Sequence, residues 1–381
     1  MSKKLRAVGT YIYAGGFSLG VKEHANVLAH MEDPKPYGEE VIGLNRAGVW
    51  GKMPVHPLPL DGSLWPEYDN LDLVFGNPPC ALFSNNNQKS FIKDSWKEDP
   101  RLDCWHNIMK YISKTEPKVF AWETVPQAYT KAPELIKQVH EWATSIGYGV
   151  TLFFHNAAFF GSCQNRRRLL IMGSKHQIQF EPFFSVPMIF ISDKLDGDFD
   201  TSFILHESNK TDAIKYCSQG ERLVKAWERM KGIKTNEDLK QLPKNKNGTI
   251  KDRPSFNVFR PSWHDLAPTL CGKPLIHPIE DRFLYFSEFQ AVADYPPYYL
   301  FPQATRSIDY MCRGVSSHVG QWLGKTTKNT IKKNVKNKHN NMVIIDSLRR
   351  GFLGQETYIV SSNDELPKLK VNVKPDKGYK S

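Results

Sequence analysis

Strand-like and helix-like segments alternate over residues 7–150, and this alternation constrains the fold more than any other feature of the chain. Strands that alternate with helices along a sequence are typical of a mostly parallel sheet that is covered on both faces. We therefore predict an α/β fold. The predicted strands are Arg6–Tyr13, Asn26–Met31, Leu71–Phe75, Val119–Trp122, Gly149–His155 and Arg167–Met172, and the predicted helices include Trp105–Ser113 and Pro133–Ile146.

A Pro-Pro-Cys turn follows the third predicted strand. Asn77-Pro78-Pro79-Cys80 comes directly after Val74–Gly76, which reads as the end of a buried strand. Two prolines stiffen such a turn, and open α/β sheets bind ligands at the carboxyl ends of their strands. A thiol held there suits nucleophilic attack, although a buried, inert cysteine is the commoner state of this residue.

The charge of the chain is unevenly distributed. The 381 residues carry a net charge of +11, and residues 325–381, with 13 Lys/Arg and 5 Asp/Glu, contribute +8 of it. A nucleic acid is the partner that such charge favours, and a solvated Lys-rich linker is the alternative. Six lysines and no acid over Lys325–Asn341 predict a flexible linker or arm. Short strands are predicted after it, at Met342–Ile345, Thr357–Val360 and Leu369–Val373.

Cysteine usage and hydropathy limit the class of protein to which the chain can belong. The six cysteines are scattered without a Cys-x-x-Cys pair, which argues against a zinc site and against a disulfide framework. No apolar segment approaches the length of a membrane span, and no signal-peptide core follows the basic N-terminus. The sequence therefore predicts a soluble cytoplasmic protein with no metal site and no membrane partner.

Five polar or glycine-rich features occur in a particular order along the predicted sheet. Each has an ordinary structural explanation when taken alone, such as a simple turn, a surface acid or a solvated basic patch. Their joint order and spacing indicate one ligand-binding site, because glycines let a ligand approach the backbone and an acid after the second strand can bind ribose hydroxyls. The five are Tyr13–Gly20, Glu32, Asn77–Cys80, Trp122–Val125 and Gln164–Arg168.

With these motifs the chain resembles the DNA (cytosine-5)-methyltransferases of bacteria and bacteriophages. The resemblance covers about Val8–Gly173 and Arg260–Leu323. It implies a Rossmann-like methyltransferase sheet that uses S-adenosylmethionine, a smaller target-recognition lobe, and a basic C-terminal extension. The segments that carry it are Ala14–Gly20, Pro78–Ser84 followed by Asp99-Pro100-Arg101, Glu123-Thr124-Val125, Gln164–Arg168, Ala267–Leu270, His277-Pro278, Arg282 and Glu288.

The resemblance assigns catalytic roles to four residues. Cys80 is implied as the nucleophile that adds to C6 of cytosine, which makes C5 able to accept a methyl group. Glu123 would hydrogen-bond N3 and the exocyclic amine of the base, and Arg166 and Arg168 would hold its carbonyl and a nearby phosphate. The base must leave the duplex to reach them, so base flipping is implied. The loop Phe83–Asp99 would close over it, with Ser84 and Gln164 as DNA-binding residues.

The resemblance also assigns a cofactor site. Tyr13 would lie against the adenine of S-adenosylmethionine, Glu32 would bind its ribose, and Asp61 is a candidate for the adenine amine. The other implied cofactor-binding residues are Ala14, Gly15, Gly16, Phe17, Pro79 and Ser316.

Departures from the family pattern fall mainly on the cofactor side. The cofactor loop is one residue short, and Thr10-Tyr11 replaces the usual Asp-Leu. Arg313-Gly314-Val315-Ser316-Ser317 lacks the Asn expected after the glycine, which lines the methyl-donor end of the pocket in the family. Three interpretations follow: an active methyltransferase in which Ser316 or a water fills in, a DNA-binding relic with weak cofactor binding, or a pocket for a modified donor with Arg313 near its polar end.

The resemblance predicts four units along the chain. Residues 1–173 form the catalytic and cofactor-binding domain, 174–272 the target-recognition domain, 273–324 the segment that completes the catalytic domain, and 325–381 the basic linker and extension. The implied protein is a monomer that acts on double-stranded DNA in a bacterial cell or a phage-infected host, within restriction-modification or phage biology. A cytosine-5 methyltransferase acting on RNA is the alternative with the same chemistry.

Overall fold

A nine-stranded, mostly parallel sheet lies at the centre of the described part of the molecule in the computed structural model. The structure describes residues 4–85, 87–182, 188–197, 261–272, 275–280, 283–302, 306–337, 341–348, 356–361 and 364–369. The strands of the described residues, in the main sheet and in a separate pair, are β1 (Leu5–Thr10), β2 (Ala25–Glu32), β3 (Val55–Pro57), β4 (Leu73–Gly76), β5 (Val119–Thr124), β6 (Gly149–Asn156), β7 (Gln164–Asn165), β8 (Arg167–Ser174), β9 (Ala267–Pro268), β10 (Met342–Asp346) and β11 (Glu356–Val360).

Helices connect and cover these strands. None of those described is long and apolar enough to cross a membrane. They are α1 (Gly16–Val21), α2 (Glu39–Leu44), α3 (Asp103–Thr115), α4 (Gln127–Lys131), α5 (Pro133–Ser145), α6 (Ile191–Leu195), α7 (Phe286–Val292), α8 (Arg306–Arg313) and α9 (Ser317–Lys333).

The strand order brings several strand ends to one edge of the sheet. Across the sheet the order is β11-β10-β6-β8-β5-β4-β1-β2-β3, and β7 pairs separately with β9. Strand β8 is antiparallel to β5 and β6, β11 is antiparallel to β10, and the other neighbours are parallel. The carboxyl ends of β1, β2, β4 and β5 therefore meet at the edge where β8 begins, which is where ligands bind in such sheets.

Adjacent residues of β4 face two different helical layers. Val74 belongs to the apolar cluster that includes Ile108 of α3 and Leu135 of α5. Phe75 belongs to the cluster on the opposite face, which includes residues of α1 and α9. Successive side chains of a strand point to opposite faces, so a strand buried on both sides reads as a continuous apolar segment. This explains why β4 and β5 lack an alternating pattern.

Two glycines let α1 cross α9 closely. A Cβ atom on Gly20 would lie 1.8 Å from the carbonyl oxygen of Ser317, and one on Gly320 would lie 2.3 Å from that of Phe17. Helices approach this closely only where no side chain separates their backbones. The crossing brings the start of α9 against the turn that precedes α1, and both contribute to the candidate site described below.

The predicted fold class is confirmed, and the predicted strands and helices of the first 174 residues are present with shifts of one to three residues at their ends. The parallel sheet covered on both faces is present as well. The short strands predicted at Met342–Ile345 and Thr357–Val360 correspond to β10 and β11, and they extend the sheet beyond β6. Of the third, Leu369–Val373, only Leu369 is described.

The predicted linker at Lys325–Asn341 is wrong over its first half. Helix α9 continues to Lys333, and its inner side is made of Thr326, Thr327 and Thr330, which are buried. The lysines interrupt the apolar sequence pattern but occupy the outer side of the helix, so charge content misled the prediction. Residues 174–272 are described only to 182, from 188 to 197 and from 261 onwards. The predicted recognition lobe therefore lies largely outside the described residues, and the four domain boundaries stay predictions.

Candidate active site

The Pro-Pro-Cys turn is held rigidly at the end of β4. The amide of Asn77 donates to the Thr10 carbonyl at 3.1 Å, and the amides of Phe83 and Ser84 donate to the Cys80 carbonyl at 3.0 and 3.1 Å. Phe83 is buried edge-on against Trp105, with ring centroids 5.6 Å apart. The Cys80 side chain is only partly buried. Backbone hydrogen bonds thus fix the turn, and the role of the Cys80 thiol stays a prediction.

A buried carboxylate and two guanidinium groups lie across the same edge of the sheet. Glu123 Oε1 is 3.1 Å from Arg168 Nε and 3.5 Å from Arg166 Nη2. The antiparallel register of β5 against β8 pairs Glu123 with Leu170, which sets Arg168 beside it. The three side chains are 2–12% exposed. The sequence predicts that these residues share a site, and the structure brings them together.

This cluster carries an excess of positive charge. One carboxylate faces two guanidiniums, and Arg166 Nη1 also donates to the Cys312 carbonyl at 3.0 Å. Burial and the neighbouring Arg166 lower the pKa of Arg168, and Glu123 opposes them. Arg168 also interacts electrostatically with Cys80. The arrangement is suited to hold a polar group that becomes negative, because fixed cations in a water-poor site stabilise developing charge strongly.

A neutral histidine lies beside the two arginines. His155 is fully buried, and burial, with Arg168 and Arg166 nearby, lowers its pKa to about 3. Neither of its ring nitrogens has a hydrogen-bond partner within the described residues. It packs on Phe153 and Phe160. It therefore lies at the base of the cluster as an uncharged aromatic residue.

The turn between β1 and α1 forms a tight cradle. Gly15 has φ +86°, and a Cβ there would lie 2.7 Å from the Tyr299 hydroxyl. A Cβ on Gly16 would lie 2.6 Å from the carbonyl oxygen of Val315. The Tyr299 hydroxyl donates to the carbonyl of Ala14 at 2.6 Å. Only glycine fits at these positions, so the segment that leads into α9 closes directly onto the shortened loop.

Tyr13 and Glu32 line the first part of this cradle. Tyr13 is buried with φ +56°, and its ring meets Tyr37 edge-on at 5.8 Å. Glu32 ends β2, is 3% exposed, and accepts a hydrogen bond from the Ile12 amide at 2.7 Å. Burial raises the pKa of Glu32 well above its usual range, and the Ile12 amide opposes the shift. Tyr37 was not singled out from the sequence, because a lone Tyr between Pro36 and Gly38 gives no motif.

One buried hydroxyl group beside the cradle, Ser316 Oγ, has no hydrogen-bond partner in the part of the chain that is described. Ser316 precedes α9, and its hydroxyl does not cap that helix. Buried polar atoms are rarely left unpaired in native proteins, so this atom calls for a ligand or a water. The unpaired Ser316 hydroxyl, the glycine cradle and the buried acid together fit an adenosyl cofactor with polar groups at both ends.

The remaining predicted residues are placed less directly. Pro79 adjoins Cys80, whereas Phe17 faces the sheet and packs on Phe75 at 5.2 Å. Asp61 lies exposed in the segment after β3, where its carboxylate accepts a hydrogen bond from the Ser63 amide at 2.9 Å. Gln164 is buried and donates to the Val292 carbonyl at 3.0 Å. The roles of Asp61, Ser84 and Gln164 stay predictions.

Comparisons with known proteins give the family. A model of the family described as C-5 cytosine-specific DNA methylase matches residues 60–270. The Type II methyltransferase M1.HphI of Haemophilus parahaemolyticus is 24% identical over 244 residues, which are 61% of this chain and 61% of that protein. The protein named Putative type II methyltransferase M.MJ0563P, of Methanocaldococcus jannaschii, is 25% identical over 341 residues, 86% of this chain and 99% of that protein. The chain thus spans less than two thirds of the first relative and nearly all of the second.

Solved structures agree on the fold. A protein described as a DNA modification methyltransferase encoded within an E. coli prophage superposes with a TM-score of 0.60 at 16% identity, covering 86% of this chain and 100% of that one. The S. pombe Dnmt2 methyltransferase superposes with a TM-score of 0.56 at 12% identity, covering 86% and 99%. With a family model that matches more than half of its length, this chain belongs to the C-5 cytosine-specific DNA methylase family, which uses S-adenosylmethionine as the methyl donor.

Proposed function

We propose that this protein modifies C5 of cytosine in double-stranded DNA through a covalent bond between Cys80 Sγ and C6 of a flipped-out base. The observation that supports the proposal is a partly buried thiol, Cys80, that interacts electrostatically with Arg168, which lies 3.1 Å from the buried Glu123 carboxylate. Family membership supplies the reaction class. The named residues supply the site in which it takes place.

Each residue of the base site has a separate task. Cys80 attacks C6, and the rigid turn directs its sulfur toward the base. Glu123 hydrogen-bonds N3 and the exocyclic amine, and it is held in one orientation by Arg166 and Arg168. The arginines hold the carbonyl of the base and offset the negative charge that develops as C6 is attacked.

S-adenosylmethionine, when bound, supplies a methyl group on a sulfonium sulfur. Tyr13 would cover one face of its adenine, and Glu32 would accept from its ribose hydroxyls. The buried Ser316 hydroxyl, which has no partner among the described residues, would hydrogen-bond the amino-acid end. The close approach of Gly16 to the Val315 carbonyl would exclude water from this part of the loop.

The loop after Cys80 supports a DNA substrate. Phe91 and Ile92 are 67% and 66% exposed, which is unusual for large apolar side chains. Lys131 Nζ donates to Ser90 Oγ at 2.9 Å and lies 4.6 Å from the ring centroid of Phe91. This apolar tip next to cations is suited to contact a duplex as the base leaves its stack.

Nucleoside mass spectrometry tests the function. DNA from cells that express the protein should contain a cytosine carrying an added group at C5, and Cys80→Ser should abolish it. Cys104→Ser, which alters a thiol on α3 that hydrogen-bonds Asp33 and lies outside the ion cluster, is the control and should retain the modification. Purified duplex DNA and tRNA offered in competition separate the two substrates. Modified tRNA with unmodified DNA would establish the RNA alternative, and no modified base in either would indicate a binding relic.

A further inference from the structure

Arg313 lies between the cofactor cradle and the base site. The carbonyl of Arg313 accepts a hydrogen bond from Asn77 Nδ2 at 2.8 Å, and Asn77 begins the turn that carries Cys80. The preceding carbonyl, that of Cys312, accepts from Arg166 Nη1 at 3.0 Å. Two residues of the base side therefore hold the backbone at residues 312 and 313. The position of this backbone is set by the site and not by the end of helix α8 alone.

The guanidinium of Arg313 covers the aromatic entrance of the cradle. Its Cζ atom lies 4.9 Å from the ring centroid of Tyr37, which in turn meets Tyr13. Its Nε donates to Asp309 Oδ2 at 2.9 Å, and the same carboxylate accepts from the Tyr37 hydroxyl. The two terminal nitrogens of Arg313 have no hydrogen-bond partner among the residues that the structure describes, and the side chain is 51% exposed. Two oriented donors thus remain for a ligand.

This cation acts on the cradle. Burial raises the pKa of Tyr13 well above its usual range, and Arg313 is the cation that opposes the shift. Burial lowers the pKa of Arg313, but Asp309 and Tyr37 outweigh it, so that the pKa is raised and the group stays charged. Any ligand that passes Tyr13 toward Cys80 therefore meets a fixed positive charge.

A methyl sulfonium is a poor match for this position. The sulfonium is itself a cation and its methyl group is apolar, so neither gains an attractive contact from a guanidinium. The planar guanidinium with two parallel donors instead matches a carboxylate in a bidentate arrangement. We propose that Arg313 selects an S-adenosyl sulfonium whose transferred carbon carries a carboxylate, so that a carboxymethyl group is delivered to C5 of cytosine.

The inference rests on the proposed function, and the reaction balances without an oxidant or reductant. Cys80 Sγ adds to C6, and the electron pair of the former C5–C6 double bond forms the new C5–CH₂ bond. The S–CH₂ bond breaks with its electron pair left on sulfur, which releases S-adenosylhomocysteine. The C5 proton then leaves to solvent, and the Cys80–C6 bond breaks to restore the double bond. The product is 5-carboxymethylcytosine, with the carboxylate unchanged throughout.

The amino-acid carboxylate of the cofactor is the competing partner for Arg313. That carboxylate is present equally in S-adenosylmethionine, in its carboxymethyl analogue and in S-adenosylhomocysteine. A substitution at Arg313 that acts through it must weaken all three ligands equally. One that acts through the transferred group must weaken binding of the carboxymethyl analogue relative to the methyl donor and leave the affinity for S-adenosylhomocysteine unchanged.

Isothermal titration calorimetry of the full chain with these three ligands tests the inference without turnover. The wild type should bind the carboxymethyl analogue at least about tenfold more tightly than S-adenosylmethionine, a ratio that corresponds to one charge-assisted contact. Arg313→Asn should abolish or reverse this preference while affinity for S-adenosylhomocysteine is unchanged. Arg313→Lys, which keeps the charge, should retain a preference. Arg306→Asn, on the exposed side of α8 and paired with Glu40, is the matched control and should behave as the wild type.

The identity of the transferred group gives a second readout. Wild-type protein offered both donors with duplex DNA should produce mainly the mass of 5-carboxymethylcytosine, and Arg313→Asn mainly 5-methylcytosine. Wild-type binding and transfer of methyl alone would overturn the inference and leave the proposed function standing. Equal weakening of all three ligands by Arg313→Asn would overturn it in favour of the amino-acid carboxylate. Transfer of neither group would defeat the proposed function itself.

Discussion

The base side and the cofactor side of the candidate site are built differently. On the base side, Glu123, Arg166 and Arg168 pair with one another at 3.1–3.5 Å, and little of their surface is exposed. On the cofactor side, the buried Ser316 hydroxyl has no hydrogen-bond partner within the described chain. On the base side, Arg166 Nε and both ring nitrogens of His155 lack such partners as well, so the buried ion cluster is what sets the two sides apart.

The difference between the two sides suggests that the base side determines the reaction at C5, whereas the cofactor side determines which group is transferred. A buried ion cluster is expensive to alter, because removing one member leaves the others charged and unpaired. The half-exposed guanidinium of Arg313 can be exchanged with smaller consequences for folding. A family can therefore keep one reaction at C5 while the residues at the donor end vary.

The largest expected effect comes from breaking the base side alone. Glu123→Gln should lower kcat by about 10²–10⁴-fold, because the base loses its acid–base partner. It should also cost several kcal/mol of stability, about 3–5 for an unpaired buried charge. Affinity for S-adenosylhomocysteine should not change. Steady-state kinetics, thermal unfolding and calorimetry measure the three quantities.

Glu116→Gln is the matched control, since Glu116 pairs with Lys175 at the surface, and it should leave all three quantities unchanged. If Glu123→Gln lost affinity for S-adenosylhomocysteine by the same factor as it lost activity, the base side and the cofactor side would not be independent.

The next effect comes from filling the cradle. Gly16→Ala places a methyl group 2.6 Å from the Val315 carbonyl oxygen, so the segment must shift. Overpacking of this kind costs about 1–3 kcal/mol, and affinity for S-adenosylhomocysteine should fall by about tenfold or more. Gly43→Ala is the control, because nothing lies within 4 Å of its added Cβ. Undiminished affinity in Gly16→Ala would place the cofactor elsewhere.

A smaller effect concerns two buried histidines, of which His155 lies beside the base side and His30 near the cofactor side. Burial lowers the pKa of both His155 and His30 to about 3, from 6.5. Between pH 6.5 and 3 the unfolded chain binds more protons than the folded one, so the free energy of unfolding should fall as pH falls in that window. Each histidine contributes up to about 1.4 kcal/mol per pH unit.

His155→Phe should remove one such contribution, because the ring packs on aromatic neighbours and its nitrogens have no partner in the described structure. Denaturant unfolding at several pH values measures the slope. His106→Gln, at an exposed position, should leave the slope as in the wild type. An unchanged slope in His155→Phe would mean that this ring is protonated in the folded protein.

The smallest effect lies away from both sides. Lys332 and Lys336 are exposed near the end of α9. If this surface contacts DNA, replacing both by Gln should reduce the slope of log K against log salt by about 2, close to 0.9 for each contact. Binding assays at several salt concentrations measure it, with Lys52→Gln together with Lys110→Gln as a control of equal charge. An equal reduction in both double variants would indicate a general charge effect.

Motifs predicted the base side well because its chemistry needs particular residues next to strand ends. Glu123 lies near the end of β5 and Arg168 is the second residue of β8, so strand prediction alone brings them to one edge. The ring contact of Tyr37 and the Asn77–Arg313 hydrogen bond are contacts that no local pattern records. The linker prediction at Lys325 failed because the lysines between residues 325 and 333 lie on the outer side of a helix whose other side is buried. The predicted monomer and the cytoplasmic location stay predictions.

The sequence by itself determined the parallel α/β core, the Pro-Pro-Cys turn and the order of the motifs, because apolar periodicity, proline stiffness and glycine freedom act over a few residues. Only the tertiary structure decided what lies between those motifs. The crossing of α1 and α9 closes the shortened loop onto Val315, and two carbonyl hydrogen bonds place Arg313 beside Tyr37. Residues more than 200 positions apart meet there because the sheet joins them, and no local preference records that contact.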